Sequence, residues 1–483
     1  MTKPVLANYI GGRWQASTSS ALLDVVNPAD GTSIGKVPVS SPDEVDAAVA
    51  AAQSAFLAWR QAPAPERVQP LFRLKELLEQ EKDELAVTIT KENGKTLEEA
   101  RGEVRRAIDN VEVACGIPSL MQGRTLAQVS RGIDELMERV PLGVCAVIPP
   151  FNFPAMVPSW FWPYAVACGN AAIVKPSELV PITMQRLFGL IEQAGFPPGV
   201  LNLVNGDGTV AELLIRHPGV AAVSSVTSTP TAKAIYALAA QCGKRVQCGG
   251  GAKNFMVVMP DADLEQAVPS IIDSVYGNAG QRCLAGANVL ALGEVAEHLV
   301  PALVEAASRL VVGNGLDQGV TMGPLISSAA RQRVVSYIER GVREGGELLL
   351  DGRLARVPKE GYFLGPTVFD RVGPETAIAG DEVFGPLMSI LRASSFEEAV
   401  DLINNSPYGN SAVVYTRNGR AAREFAREVD CGQIGVNVGL AAPMAFFPFA
   451  GRKESFFGTL HGQGQDAVEF FTDKKIVIAR WWA

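Results

Sequence analysis

At 483 residues the chain is too long for one hydrophobic core, so two or more domains are expected, each with ample length to bury its own. Hydrophobic residues make up 47%, charged residues 19% and aromatic residues 7%, with 47 Gly and 31 Pro; this excludes disordered, collagen-like and coiled-coil chains and fits a loop-rich soluble α/β protein. Lys and Arg number 43 against 51 Asp and Glu, a net charge of −8, and because phosphate neutralisation needs a basic surplus, nucleic acid is not an expected partner.

Met1 is followed by Thr2, Lys3 and Pro4 and a mixed polar segment, without the apolar or Arg-rich start of a targeting peptide, so a cytoplasmic location is the default. Ser41-Pro42-Asp43-Glu44 reads as a capping box with Pro at the first helical position, opening a helix to about Trp59. Thr96-Leu97-Glu98-Glu99 repeats the device. Leu71, Leu74, Leu77 and Leu78 share one helical face, so residues 42–121 are expected to be a mostly helical packing layer. The uncharged run 140–174 contains Pro141, Pro149, Pro150, Pro154, Pro158 and Pro163, which no spanning helix tolerates together, and is read as core and site.

From residue 144 onward, short β-rich runs alternate with helical segments: 144–148, 171–175, 201–204, 221–226 and 245–248, then 255–259, 289–292, 388–391, 411–415 and 433–437. Such alternation implies parallel sheets flanked by helices, here two doubly wound α/β domains in tandem. Residues 1–121 with 141–250 form one expected domain and 251–465 the other. The polar β-type segments 122–140 and 466–483 fit neither series and are expected to pair as an arm inviting oligomerisation.

Seven cysteines without a C-x-x-C pair point to reduced thiols. The three histidines, 217, 298 and 461, are too far apart for a zinc site or a His-based triad, so no metal is expected. Gly206-Asp207-Gly208-Thr209-Val210-Ala211 fits G-x-G-x-x-A after a strand, a candidate phosphate turn, although an ordinary βα turn reads equally well. Lys175-Pro176-Ser177-Glu178 ends a strand at the edge where α/β sheets bind ligands. Cys283 follows the flexible Gly277-Asn278-Ala279-Gly280-Gln281 run and has Arg282 beside it, a cation suited to favouring a thiolate. Such a nucleophile needs oxyanion donors, and Pro150-Phe151-Asn152-Phe153-Pro154 offers an amide.

Phe151-Asn152-Phe153-Pro154, Lys175-Pro176-Ser177-Glu178, Gly280-Gln281-Arg282-Cys283 and Glu382-Val383-Phe384-Gly385-Pro386 stand in the order seen in aldehyde dehydrogenases. The resemblance runs from Asn8-Tyr9-Ile10-Gly11-Gly12-Arg13-Trp14 to the region of Phe471 and is greatest to CoA-acylating methylmalonate-semialdehyde dehydrogenases. It implies Cys283 as nucleophile, Asn152 as oxyanion amide, and Lys175 and Glu178 as adenosine-ribose ligands. Glu382 then holds the nicotinamide ribose, with Phe151, Ser228, Gly206 and Phe384 completing an NAD site. Arg106 and Arg282 correspond to arginines that recognise a substrate carboxylate.

Two departures matter. Hydrolytic members carry a Glu four residues before the Lys of E-L-G-G-K, whereas this chain reads Gly249-Gly250-Gly251-Ala252-Lys253. Thr227 stands where the family usually has Gly near the pyrophosphate, and Ala442–Phe449, on the substrate side, again resembles the methylmalonate group. The resemblance therefore implies NAD-dependent oxidation of a small semialdehyde with coenzyme A as co-substrate, in a homodimer or homotetramer. The alternatives are an aldehyde dehydrogenase releasing a free acid and, more distantly, a non-catalytic protein of the same fold.

Overall fold

A computed structural model describes residues 3–482. Both expected capping boxes form, starting the helices Pro42–Trp59 and Leu97–Cys115, and with Gln69–Gln80 and Lys82–Asn93 they make up the helical layer. This layer packs on an eight-stranded sheet whose five parallel strands run in the spatial order Leu201–Leu203, Ala171–Val174, Val144–Ile148, Val220–Val226, Arg245–Gly249. In chain order that is 3-2-1-4-5, the doubly wound arrangement whose strand order reverses between Val144–Ile148 and Val220–Val226. Diverging connections leave a crevice at the carboxyl ends there. Short antiparallel strands close the edges: Asn8–Ile10 with Arg13–Gln15 on one side, Phe456–Phe457 on the other.

A second, seven-stranded sheet is parallel throughout except for Glu347–Leu350, which pairs antiparallel to Thr367–Asp370. Its central strands, Asn288–Leu292 and Phe255–Val258, are completely buried, as continuous apolar runs between two helical layers must be. Each sheet has its own hydrophobic core. Thr472–Arg480 pairs antiparallel with Ile133–Pro141 along its whole length, and Arg124–Ser130 adds the third strand of a small exposed sheet.

Candidate active site

Val144–Ile148 runs into Pro149 and Pro150, which cannot donate to a ladder, so the chain leaves the sheet at the crevice as an irregular segment. Asn152 is buried in this segment, and its Nδ2 donates to the carbonyl of Gln281 at 3.0 Å. That bond joins the crevice to the loop carrying Cys283. In the turn Gly277–Gly280, Asn278 and Ala279 have φ of 50° and 51°, uncommon for residues with a Cβ. The conformation is held from outside: Asn278 N donates to Glu99 Oε1 at 2.6 Å and its Nδ2 to Asn152 O at 3.3 Å. At Gly280 (φ 73°) a Cβ would lie 2.2 Å from the carbonyl of Gly385, so this loop and the one after Glu382 touch backbone to backbone. The Cys283 carbonyl accepts from Asn254 Nδ2 at 2.8 Å and Asn410 Nδ2 at 2.9 Å.

Three cavities share Cys283. The largest, about 790 Å³, is walled by Phe151, Asn152, Lys175, Glu178, Ser228, Glu382 and Phe384. Lys175 Nζ donates to Gly206 O at 2.7 Å and lies 3.7 Å from Glu178 Oε2. Gly206 itself is not in the wall. The helix after it, Gly208–Arg216, is capped by Asp207, whose carboxylate accepts from Thr209 N at 2.9 Å; a phosphate there would meet a like charge. Helix Thr229–Gln241 has no such side-chain cap, and Thr227, Ser228 and Thr231 at its start line the cavity. Of the two helix starts singled out in the sequence, after Gly206 and at Ser228, the one at Ser228 lines the cavity without a capping carboxylate. Burial lifts the Glu382 carboxyl to about 7, although Oε1 accepts from Ala252 N at 2.9 Å. Lys253 Nζ is buried without a hydrogen-bond partner, and burial draws it down to about 8.

A second cavity, about 300 Å³, opens on the other side of Cys283. Helix Leu97–Cys115 faces it with Glu99, Glu103, Arg106 and Asn110, a polar stripe at helical spacing. Arg106 was expected on this side; Glu99, Glu103 and Asn110, which share its face of the helix, were not singled out. Arg282 also lines the cavity, but Glu99 holds its guanidinium at 3.0 Å and Asp273 at 3.6 Å. Arg106 rests against the Met444 thioether and has no carboxylate partner among the described residues. Gln463, unforeseen, donates from Nε2 to Phe447 O at 2.9 Å and steadies the opposite wall. The third cavity, about 30 Å³, is bounded by Gly249, Gly250, Ser225, Gln247 and aromatic rings; no Asp, Glu or His lines it.

Cys283 retains some exposure as a residue, yet its thiol is enclosed, and burial with nearby Glu382 pushes it up to about 12. Backbone N–H groups and Arg282 oppose this, Arg282 least. Arg282 thus acts in the expected direction but weakly, because two carboxylates already offset its charge. Among the described residues no cluster of three or more His, Cys, Asp or Glu is placed to hold a metal, and no helix is long and apolar enough to cross a membrane.

Two doubly wound sheets meeting at a deep thiol are shared with known enzymes. Residues 14–477 match the aldehyde dehydrogenase family, and the chain belongs to it. It is 51% identical over 476 residues to malonate-semialdehyde dehydrogenase 2 of Geobacillus thermodenitrificans (strain NG80-2), covering 98% of this chain and 99% of that one. Methylmalonate-semialdehyde dehydrogenase of Oceanimonas doudoroffii superposes with a TM-score of 0.98 at 40% identity, covering 99% of both chains. A Sinorhizobium meliloti 1021 protein solved in complex with NAD gives the same TM-score, 0.98, at 40% identity, covering 100% of this chain and 99% of that one.

A thiol raised to about 12 is almost wholly protonated at neutral pH. Alkylation of Cys283 by iodoacetamide in the enzyme without ligands should therefore speed up about tenfold per pH unit from pH 7 to 10. A rate already flat below pH 8 would show a preformed thiolate.

Proposed function

We propose that the chain is an NAD-dependent, CoA-acylating dehydrogenase of a small carboxylate-bearing semialdehyde, malonate or methylmalonate semialdehyde being the fitting class. The observation that carries this is the space beside Cys283 at Gly249, which no Asp, Glu or His lines. The names of the relatives and the NAD complex of a structural neighbour support it. The large cavity suits a dinucleotide: it lies at the crevice where the strand order reverses, beside an uncapped helix start, with Glu178 on one flank and Glu382 near Cys283. NAD, when bound there, supplies the hydride acceptor.

The Cys283 thiol gives its proton to solvent and the resulting thiolate attacks the aldehyde carbon, forming a C–S bond, while Asn152 Nδ2 and the Cys283 N–H donate to the developing oxyanion. Loss of hydride leaves a thioester on Cys283. For a malonate-type acyl group, the free carboxylate departs as CO₂ and a proton replaces it. The CoA thiolate then attacks the thioester carbon and displaces the Cys283 thiolate, giving acetyl- or propionyl-CoA. No base has to deprotonate water in this route. Arg106, unpaired, receives the substrate carboxylate, and Arg282 faces the same cavity with its charge already shared. A dimer or tetramer joined through the exposed arm, in the cytoplasm, completes the reading.

Product analysis decides between acyl transfer and hydrolysis: with CoA the product should be the thioester, and without it NADH should form in a single burst. Fast, linear NADH formation indifferent to CoA would establish the free-acid alternative.

Arg106→Ala should raise KM for malonate semialdehyde by roughly 10- to 100-fold, the loss of one charge-assisted pair, and leave propanal nearly unchanged. Equal losses for both aldehydes would make Arg106 a structural residue.

A 2′-phosphate beside the Glu178 carboxylate would meet a like charge, so kcat/KM should favour NAD over NADP, and Glu178→Gln should narrow the gap. Equal kcat/KM for the two cofactors in the unaltered enzyme would remove Glu178 from that role.

A further inference from the structure

Lys95 and Glu103 form an ion pair at 2.5 Å with both side chains wholly buried. Taking two charges out of water is unfavourable unless every donor and acceptor finds a partner. Here they do. Lys95 Nζ also donates to Asn152 O at 2.7 Å and stands over the Phe153 ring, 4.0 Å from its centroid. Glu103 keeps Oε2 for Lys95 and accepts at Oε1 from Ala155 N at 2.8 Å and Met156 N at 3.3 Å. All these partners outside the pair belong to the segment that carries Asn152, which has no strand or helix ladder between Ile148 and Met156 to fix it. Asn93 Nδ2 adds a bond to Phe151 O at 3.0 Å, so residues on both sides of Gly94 (φ 96°) hold successive carbonyls.

We infer that the Lys95–Glu103 pair is a positioning element for the oxyanion site: it fixes the backbone of Asn152 so that the side-chain amide meets the substrate oxygen above Cys283. The inference rests on the oxyanion reading of Asn152. Neither residue donates to the substrate itself; the pair acts through Asn152, because a side chain cannot hold its amide in place if its own peptide groups wander.

The test is a double-mutant cycle in the full-length enzyme, read by single-turnover hydride transfer from propanal to NAD. Lys95→Met/Glu103→Gln removes both charges and leaves an amide oxygen to accept from Ala155 N. It should slow hydride transfer by about 10- to 100-fold, less than the roughly 100- to 1000-fold of an oxyanion donor removed outright, while the Kd for NAD and the alkylation rate of Cys283 stay within twofold. In an Asn152→Ala background the same change should add less than a twofold further loss. Glu103→Asp, which shortens the reach of the carboxylate but keeps the charge, should give the same pattern in smaller measure and serves if the neutral pair fails to fold. A full further loss on top of Asn152→Ala, parallel losses in NAD binding and thiol alkylation, or an unimpaired Lys95→Met/Glu103→Gln or Glu103→Asp enzyme beside an impaired Asn152→Ala would each overturn the inference alone. Undiminished hydride transfer in Asn152→Ala would overturn the oxyanion reading and the inference with it.

Discussion

A polar loop at the bottom of a cleft between two apolar sheets must have its peptide groups satisfied without water, and the protein meets that constraint with side-chain amides. Asn254 and Asn410 stand immediately before the strands Phe255–Val258 and Ser411–Tyr415, and both donate to the carbonyl of Cys283. Asn254 also gives a bond to Ala285 O and accepts from Ser411 N, so a single amide spans two strands and the nucleophile loop. Gln281 accepts from Ile326 N through Oε1 while its carbonyl receives Asn152. The thiol is thereby registered to the amino ends of the second sheet, and Asn152 reaches it from the carboxyl ends of the first.

The charges around this centre follow from the same enclosure. Burial disfavours every ion, so most appear in pairs: Lys95 with Glu103, Arg282 with Glu99 and Asp273, Lys175 with Glu178. In the cavity on the side of helix Leu97–Cys115, the cation left without a carboxylate partner among the described residues is Arg106. The same logic explains the raised thiol. With Arg282 already matched, desolvation and Glu382 set its protonation.

The β–α alternation and the capping boxes were legible because they are local: period-2 and period-3.6 patterns and Ser/Thr-x-x-Glu signatures act within a few residues. Strands such as Thr367–Asp370 and Glu347–Leu350 escaped notice, being four residues each between turns and too short to show a period. That Phe151, Asn152, Lys175, Glu178, Cys283, Glu382 and Phe384 share one cavity was legible through four motifs in order. Lys95, Glu99, Glu103 and Gln463 were not, since their roles depend on contacts with residues far away in the chain, as from Glu103 to Ala155 or from Gln463 to Phe447. At the Gly206 turn, whose pattern read equally well as a phosphate site or an ordinary βα turn, packing alone requires the glycine, because a Cβ there would lie 2.3 Å from Val210 Cγ2.

The lack of an acidic side chain at 249, beside Cys283, is built into the packing, beyond the identity of one residue. A Cβ at Gly249 would stand 3.2 and 3.3 Å from the two methyl groups of Val226, tighter than ordinary contact, and Gly250 is closed by the carbonyl of Glu454 at 2.5 Å. A longer side chain at 249 would have to enter a cavity of about 30 Å³, near the size of a single water, among Trp160, Phe161, Phe449 and Phe456. Burying a carboxylate among those rings would raise its pKa and blunt it as a base for neutral water. Admitting a carboxylate at 249 would therefore require Val226 and the aromatic wall to give way together with Gly249. Acyl transfer to a thiol makes no such demand, because a thiolate brings its own nucleophilicity into the cleft.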